Sequence, residues 1–252
     1  MSSLIHLLAT SFIVGIVGFA LGGGYGTILV PVLILYGYEP KVAILSVLIC
    51  QFIGETLAAY LHHKFGVANF NYGSHEIKNG VVLGICGIIG SLSVFIVVSI
   101  SSDILIVYNV ITLICLGLVV TFARIPMVEH HISMAKVSVI GTFASVNKAL
   151  TGGNYGPTVL AGSVIIGANI KKTVATISLA EAIACAFAII GYICSGIFVE
   201  VRILAVMCLG TILSVIPSVF LVKNASQCFL KKFIGLIMIL LGMALWINNF
   251  YL

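Results

Sequence analysis

Apolar residues run in long blocks divided by short polar or glycine-rich breaks. The blocks fall at about 4–21, 25–36, 42–61, 80–100, 104–123, 133–150, 156–167, 173–195, 201–222 and 229–250. Most approach the roughly 20 residues that a membrane-spanning helix needs. Two do not: 25–36 and 156–167 hold 12 residues each. At 1.5 Å per residue, that is about 18 Å of helix, too short for a hydrocarbon core of about 30 Å. Each short block follows a glycine cluster. The first is Gly22, Gly23, Gly24, Tyr25 and Gly26, and the second is Gly152, Gly153, Asn154, Tyr155 and Gly156.

The order long block, glycine break, short block, three long blocks therefore occurs twice. Sliding the chain by 130 residues superposes Gly22, Gly23, Tyr25, Gly26 and Gly37 on Gly152, Gly153, Tyr155, Gly156 and Gly167. A slide of 132 superposes Val42, Ala43 and Ser46 on Val174, Ala175 and Ser178, which implies two extra residues in the second loop. The pattern reads as an internal duplication joined near 124–136, with one repeat over 1–126 and the other over 133–252 of a single transmembrane domain.

Composition fixes the solvent. The chain is 61% hydrophobic and 8% charged, against about 25% charged in soluble domains. The net charge of +5 is spread between apolar blocks, without a basic patch interleaved with aromatics. Nucleic acid is not an expected partner, and the bases mark topology instead. If residues 4–36 formed one broken span, the loop bases would divide six against five. If each glycine break is the tip of a hairpin that enters and leaves on one side, the division changes. One face then carries Lys64, Lys78, Arg124, Lys136, Lys171, Lys172, Lys223, Lys231 and Lys232, and the other Lys41 and Arg202. Nine against two obeys the positive-inside rule. The expected fold is an all-α polytopic protein of the cell membrane. Its two inverted repeats each contain a Gly-broken helical hairpin plus three transmembrane helices, and both termini are extracytoplasmic. The first apolar block lacks a basic flank, so no cleavable signal is expected. Seven cysteines without CxxC or CxxH spacing read as small apolar side chains.

The segments "GFALGGGYGTILVPVLILYG" followed by "AILS", and "TGGNYGPTVLAGSVIIGANIKKTVATISLAE", resemble the two signatures of the sulfite exporter TauE/SafE family, also called the toluene sulfonate uptake permeases. The resemblance covers nearly the whole chain, including the duplication. It implies transport of small sulfur-containing or organic anions such as sulfite, sulfonates and sulfoacetate. Thr151 and Asn154 depart from a run of four glycines common in the family, and Lys148 from the small or acidic residue expected there.

The residues suggest where an anion would sit. A short helix begins after each glycine cluster, with Pro157 suited to a first helical position. Unpaired N–H groups and the positive end of the helix dipole face the break, which suits an anion. Tight helix packing, as in Gly18-x-x-x-Gly22, is the alternative role for these glycines. Lys148 is the only base deep in an apolar block. It reads as an anion-attracting charge, or else as a side chain that snorkels to an interface or pairs structurally with an acid. Glu181 and Glu55 also lie at membrane depth, where a carboxyl group is costly to ionise; both are proton-coupling candidates, or else protonated acids that bond a neighbouring helix. Glu181 superposes on Gln51 at the 130-residue slide. Ser46, Thr176 and Ser178 offer hydroxyls either to an oxyanion or to their own helix backbone. The binding set is thus Gly22, Gly23, Gly24, Tyr25, Gly26, Ser46, Lys148, Gly152, Gly153, Asn154, Tyr155, Gly156, Thr176 and Ser178. His62, His63, His75, His130 and His131 are expected in loops on the basic face, not converging on a metal. Gly80, Gly84, Gly87 and Gly90 give one helix a smooth side.

No HExxH, GxSxG or paired aspartates mark an enzyme, and no cofactor is expected. The reading is a secondary transporter of a small anion, held at the midplane between the two hairpins. Protons are a possible coupling ion and the lipid bilayer is the surroundings. A channel on the same scaffold and a non-transporting assembly subunit are the alternatives.

Overall fold

The computed structural model describes residues 2–92, 102–122, 133–151, 154–194 and 196–250. Among them are ten α-helices: α1 (Ser2–Ala20), α2 (Tyr25–Leu35), α3 (Pro40–Lys64), α4 (His75–Leu92), α5 (Ser102–Phe122), α6 (Met134–Thr151), α7 (Tyr155–Ile165), α8 (Ile170–Cys194), α9 (Val201–Asn224) and α10 (Gln227–Phe250). Four segments are long and apolar enough to cross a membrane: Lys41–Lys64, Ile170–Cys194, Val201–Asn224 and Gln227–Ala244. The blocks at 80–100 and 104–123 run partly outside the described residues.

Each short apolar block forms an 11-residue helix, α2 and α7. Each folds back on the helix before it. In the first hairpin, the Thr10 hydroxyl on α1 lies 3.4 Å from the Tyr36 hydroxyl just past α2. In the second, Asn147 on α6 donates to Thr158 on α7 at 2.5 Å. Further along, a Cβ added at Gly162 would lie 2.9 Å from Ile140. Residue numbers fall on one helix as they rise on the other, so both pairs are antiparallel hairpins. The first turn needs glycine: Gly22 and Gly23 have φ of 66° and 95°, a region that side-chain-bearing residues rarely enter. Gly24 N–H then closes the turn on the Gly18 carbonyl at 3.1 Å.

The two halves match in length where the hairpins meet the spans. Both α2 and α7 have 11 residues, and both α3 and α8 have 25. Glycines with positive φ recur 130 residues apart, Gly37 with Gly167 and Gly66 with Gly196. The expected two-residue insertion in the second loop is absent, because α3 and α8 begin and end 130 residues apart. The Val-Ala-x-x-Ser likeness at 132 is a coincidence of small and β-branched residues on helices made largely of them.

Small residues let these helices approach closely, the usual basis of packing in lipid. Added Cβ atoms at Gly80 and Gly84 on α4 would lie 2.7 and 2.9 Å from Leu179 and Ile183 on α8. Gly90 on α4 packs on Ser145 of α6, and Gly15 on α1 packs on Ser214 of α9. The expected smooth side of α4 thus serves two neighbours. α5 and α10 run antiparallel, with Gly117 against Gly235 and Ile239, and Gly242 against Ile114.

The histidines differ from expectation. His62 and His63 lie in the last turn of α3, not in a loop. His62 is fully buried, with no hydrogen-bond partner for either ring nitrogen. The apolar stretch carries the helix further than the polar residues at its end suggested. His75 opens α4, and His130 and His131 lie outside the described residues. Among those described, no three His, Cys, Asp or Glu side chains converge as a metal requires.

Candidate functional site

The two hairpin tips touch. A Cβ on Gly156 would overlap the Gly22 carbonyl oxygen and lie 3.0 Å from the Gly23 Cα. Only a residue without a side chain fits there. Gly152 and Gly153 lie outside the described residues. Pro157 is the third residue of α7, not the first, because the helix begins at Tyr155 with Asn154 as its cap. Its missing N–H still costs nothing, since the first four N–H groups of a helix have no intrahelical partner.

Each tip is tied to the surrounding spans. Tyr25 stacks on Phe19 with ring centroids 5.2 Å apart, and its hydroxyl lies 2.7 Å from that of Thr211 on α9. The equivalent Tyr155 donates to the Leu83 carbonyl on α4. Asn154 donates to Asn109 on α5 at 2.5 Å. Both tyrosines are fully buried, so they fix the tips and do not face a solvent-filled space. Thr211, Leu83 and Asn109 escaped the sequence reading because their partners lie 186, 72 and 45 residues away.

Against the tips lies an ionic cluster. Glu181 is the twelfth residue of α8 and Gln51 the twelfth of α3, each helix having 25 residues. Twelve residues reach about 18 Å along a helix, roughly the middle of a membrane. Lys148 Nζ on α6 donates to Glu181 Oε2 at 2.6 Å, and Gln51 Nε2 donates to the same oxygen at 3.1 Å. The Lys148 ammonium also lies 5.5 Å from the centre of the Tyr155 ring, within range of a cation–π contact. Glu181 Oε1 has no hydrogen-bond partner; a Cβ added at Gly23 would lie 2.8 Å from it. The structure thus brings Gly23, Lys148, Gly156 and Glu181 together, and adds Gln51. The signal for Gln51 was in the sequence, as the residue superposed on Glu181.

Glu55 is one turn along α3 from Gln51. It is fully buried, and neither carboxylate oxygen has a hydrogen-bond partner. Ser178 on α8 is the hydroxyl beside it, and Glu181 and Lys148 are the charges it senses. A buried carboxylate without donors costs several kcal/mol, so this environment suits the neutral acid. Glu55→Gln, which resembles the neutral acid in shape but adds a second N–H donor, should cost no more than about 1–3 kcal/mol. Thermal unfolding of the purified variant checks this. A larger loss would instead mean that Glu55 is ionised and paired.

The hydroxyl candidates bond to their own helices. Ser46 donates to the Val42 carbonyl at 2.7 Å, Thr176 to Lys172 at 2.7 Å and Ser178 to Val174 at 3.4 Å. Ser46 and Thr176 commit their protons and are poor donors to an anion in this state, whereas the Ser178 hydroxyl, at a longer 3.4 Å from its carbonyl, also faces Glu55. Gly24 packs on Leu21, and Gly26 faces the Gln51 amide oxygen, 3.1 Å from an added Cβ.

One small cavity adjoins the cluster, and a larger one lies apart from it along α4, α7 and α8. The smaller, about 20 Å³, is lined by Gly23, Gly26, Gln51 and Lys148 among others; it holds about one water. The larger, about 280 Å³, reaches from His75, Glu76 and Lys172 at the helix ends to Leu83 and Thr176. Lys172 and Glu76 face each other across its mouth at 3.6 Å. Ser163, Thr173 and Val137 also line it. Their counterparts 130 residues earlier, Leu33, Ala43 and Leu7, are buried in an apolar cluster with Met207. Three positions that line a cavity in the second half are thus packed in apolar surroundings in the first.

Touching helical hairpins, a lysine–glutamate pair and an unpartnered carboxyl group amid membrane-length helices are features of a multi-pass membrane transport protein. The family comparison agrees. The model for the sulfite exporter TauE/SafE family matches residues 7–245, and the chain belongs to that family. It is a membrane transporter, not an enzyme, and the family implies an anionic substrate such as sulfite. No curated protein matches the chain.

Proposed function

We propose that the chain is a secondary transporter in the cell membrane. It binds a small sulfur-containing or organic anion between the two hairpin tips, with Lys148 as the attracting charge. The single observation that carries this reading is a partly buried ammonium group held where two glycine tips touch, beside a small cavity that Gln51 also lines. The N-terminal turn of α7 adds N–H groups and the positive end of its dipole. The larger cavity reaches inward from one face as far as Thr176 on α8 and Leu83, whose carbonyl holds Tyr155. Thermal-shift measurements over sulfite, thiosulfate, sulfonates and short carboxylates test the reading. A sulfur oxyanion or sulfonate should raise the melting temperature, because a ligand of the folded state stabilises it; no shift with any anion contradicts it.

The same proposal includes two inverted repeats, 1–126 and 133–252. In support, α3 and α8 cross antiparallel at Gln51 and Glu181, and α5 and α10 are antiparallel at Gly117 and Gly235. Likewise α1 packs on α9 as α6 packs on α4. Positions that line a cavity in one repeat and are packed in the other are what an exchange of roles between inverted repeats would use to alternate access. Lys148 and Glu181 supply the charges for coupling, with Glu181 the first candidate for the proton and Glu55 the second.

Orientation follows from the nine-to-two charge division. The loops at 65–74 and 225–226 face the cytoplasm, and both termini face outside; the expected cytoplasmic loop at 124–132 lies outside the described residues. A single cysteine at position 70, in a background without the native cysteines, should react with an impermeant maleimide only after permeabilisation. Reaction in intact cells would reverse the topology.

A further inference from the structure

We propose that the Glu181 carboxylate occupies the place on Lys148 that the transported anion takes, so that anion and ionised Glu181 exclude one another and one proton enters with each negative charge bound. This rests on the reading of Lys148 as the substrate's counter-charge and specifies how the site is coupled.

Space comes first. The cavity beside Lys148 measures about 20 Å³, room for about one water. A sulfur oxyanion, with a sulfur and three oxygens, does not fit beside the existing pair. It fits only where the Glu181 carboxylate, itself a two-oxygen anion, now sits at 2.6 Å from the ammonium. That carboxylate already makes the contacts a substrate would need, from Lys148 Nζ and Gln51 Nε2.

Charge comes second. Among the described residues, the groups facing Glu181 are Lys148 from α6, Gln51 and Glu55 from α3, Tyr155 and the Gly156 N–H from α7, and Cys185 on its own helix. α4 contributes glycines and apolar groups. α9 and α10 meet α8 only near its start, through the Lys223 carbonyl and Gln227. One cation therefore serves this centre. With Glu55 neutral and Glu181 ionised, the centre is balanced. An added anion would leave two negative charges on one ammonium in dry surroundings, an arrangement that like-charge repulsion opposes. A proton from the aqueous side restores balance. It adds to Oε1, the oxygen without a partner. The Lys148–Oε2 contact breaks, and an anion oxygen takes its place on Nζ. When the anion leaves, Glu181 returns to Lys148 and releases the proton.

The test is calorimetric binding of methanesulfonate to the full chain in detergent. Its charge does not change with pH, so any pH dependence belongs to the protein. In the wild type, affinity should tighten as pH falls, by up to ~tenfold per pH unit for one linked proton. Comparing buffers of different ionisation enthalpy should show proton uptake on binding. Glu181→Gln removes the competitor. It should bind at least as tightly as wild type at low pH, and its pH dependence should vanish. Loss of the pair leaves Lys148 uncompensated, so this variant should also gain more thermal stability from the anion than wild type does. If Glu181→Gln does not fold, the wild-type proton count alone decides. Wild-type binding without proton uptake, or weaker binding in Glu181→Gln at every pH, overturns the displacement. If Lys148→Met nevertheless abolishes binding, the site itself stands. Unchanged binding in Lys148→Met overturns both, as does the absence of binding by methanesulfonate and sulfite at every pH.

Discussion

Lys148→Met should weaken anion binding by roughly 10–100-fold while leaving a folded, extractable protein. The size follows from a hydrogen bond to a charged group, about 1.5–3 kcal/mol, at 1.4 kcal/mol per decade. Methionine is unbranched and fits the space of the lysine stem. Removing the ammonium leaves Glu181 without its ion pair, and breaking a buried pair costs about 3–5 kcal/mol when the remaining charge persists. Here it need not persist, because a carboxyl group can take up a proton and become neutral. Gln51 remains to hydrogen-bond it. The variant should therefore be less stable at high pH than at low pH, and its binding defect should appear at both. Affinity equal to wild type would make Lys148 a purely structural partner of Glu181.

Among the described glycines, Gly156→Ala should be the most damaging change to alanine. The new methyl group would overlap the Gly22 carbonyl oxygen, backbone against backbone. Neither side can move alone, since Tyr25 is tied to Thr211 and Tyr155 to Leu83. Overpacking of this kind costs about 1–3 kcal/mol, and the tips would separate around Glu181 as well. Lower thermal stability should accompany loss of anion binding. Gly191→Ala is the control. An added Cβ there meets nothing within 4 Å, and replacing a mid-helix glycine favours the helix by up to about 1 kcal/mol. Equal stability of Gly156→Ala and wild type, with intact binding, would mean that the tips do not pack as described.

The fold was legible because lipid enforces simple rules. Block lengths gave the helices, since a span must satisfy its backbone internally. The 12-residue blocks after glycine clusters gave the hairpins, for they are too short to do anything else. Lys148, Glu181 and Glu55 stood out as charged residues inside apolar sequence. Their partners did not. Lys148 and Glu181 lie 33 residues apart on different helices, and nothing local distinguishes a lysine that awaits a substrate from one already paired. The same holds for Glu55, whose lack of a partner is a property of three packed helices. Ser46, Thr176 and Ser178 were ambiguous in sequence, because a helical hydroxyl always has a carbonyl one turn back within reach. The 132-residue slide failed for a related reason: small and β-branched residues recur too often in such helices to fix a register. The glycines, whose positions are set by turns and close approach, fixed it correctly at 130.

Countertransport in liposomes tests the central claim most directly. Purified protein is reconstituted, the vesicles are loaded with unlabelled sulfite, and uptake of sulfur-labelled sulfite is followed. A carrier with one site between the tips predicts saturable uptake, accelerated by sulfite on the far side and absent in Lys148→Met. Uptake no greater than in empty liposomes, or flux that neither saturates nor responds to the internal anion, would contradict it.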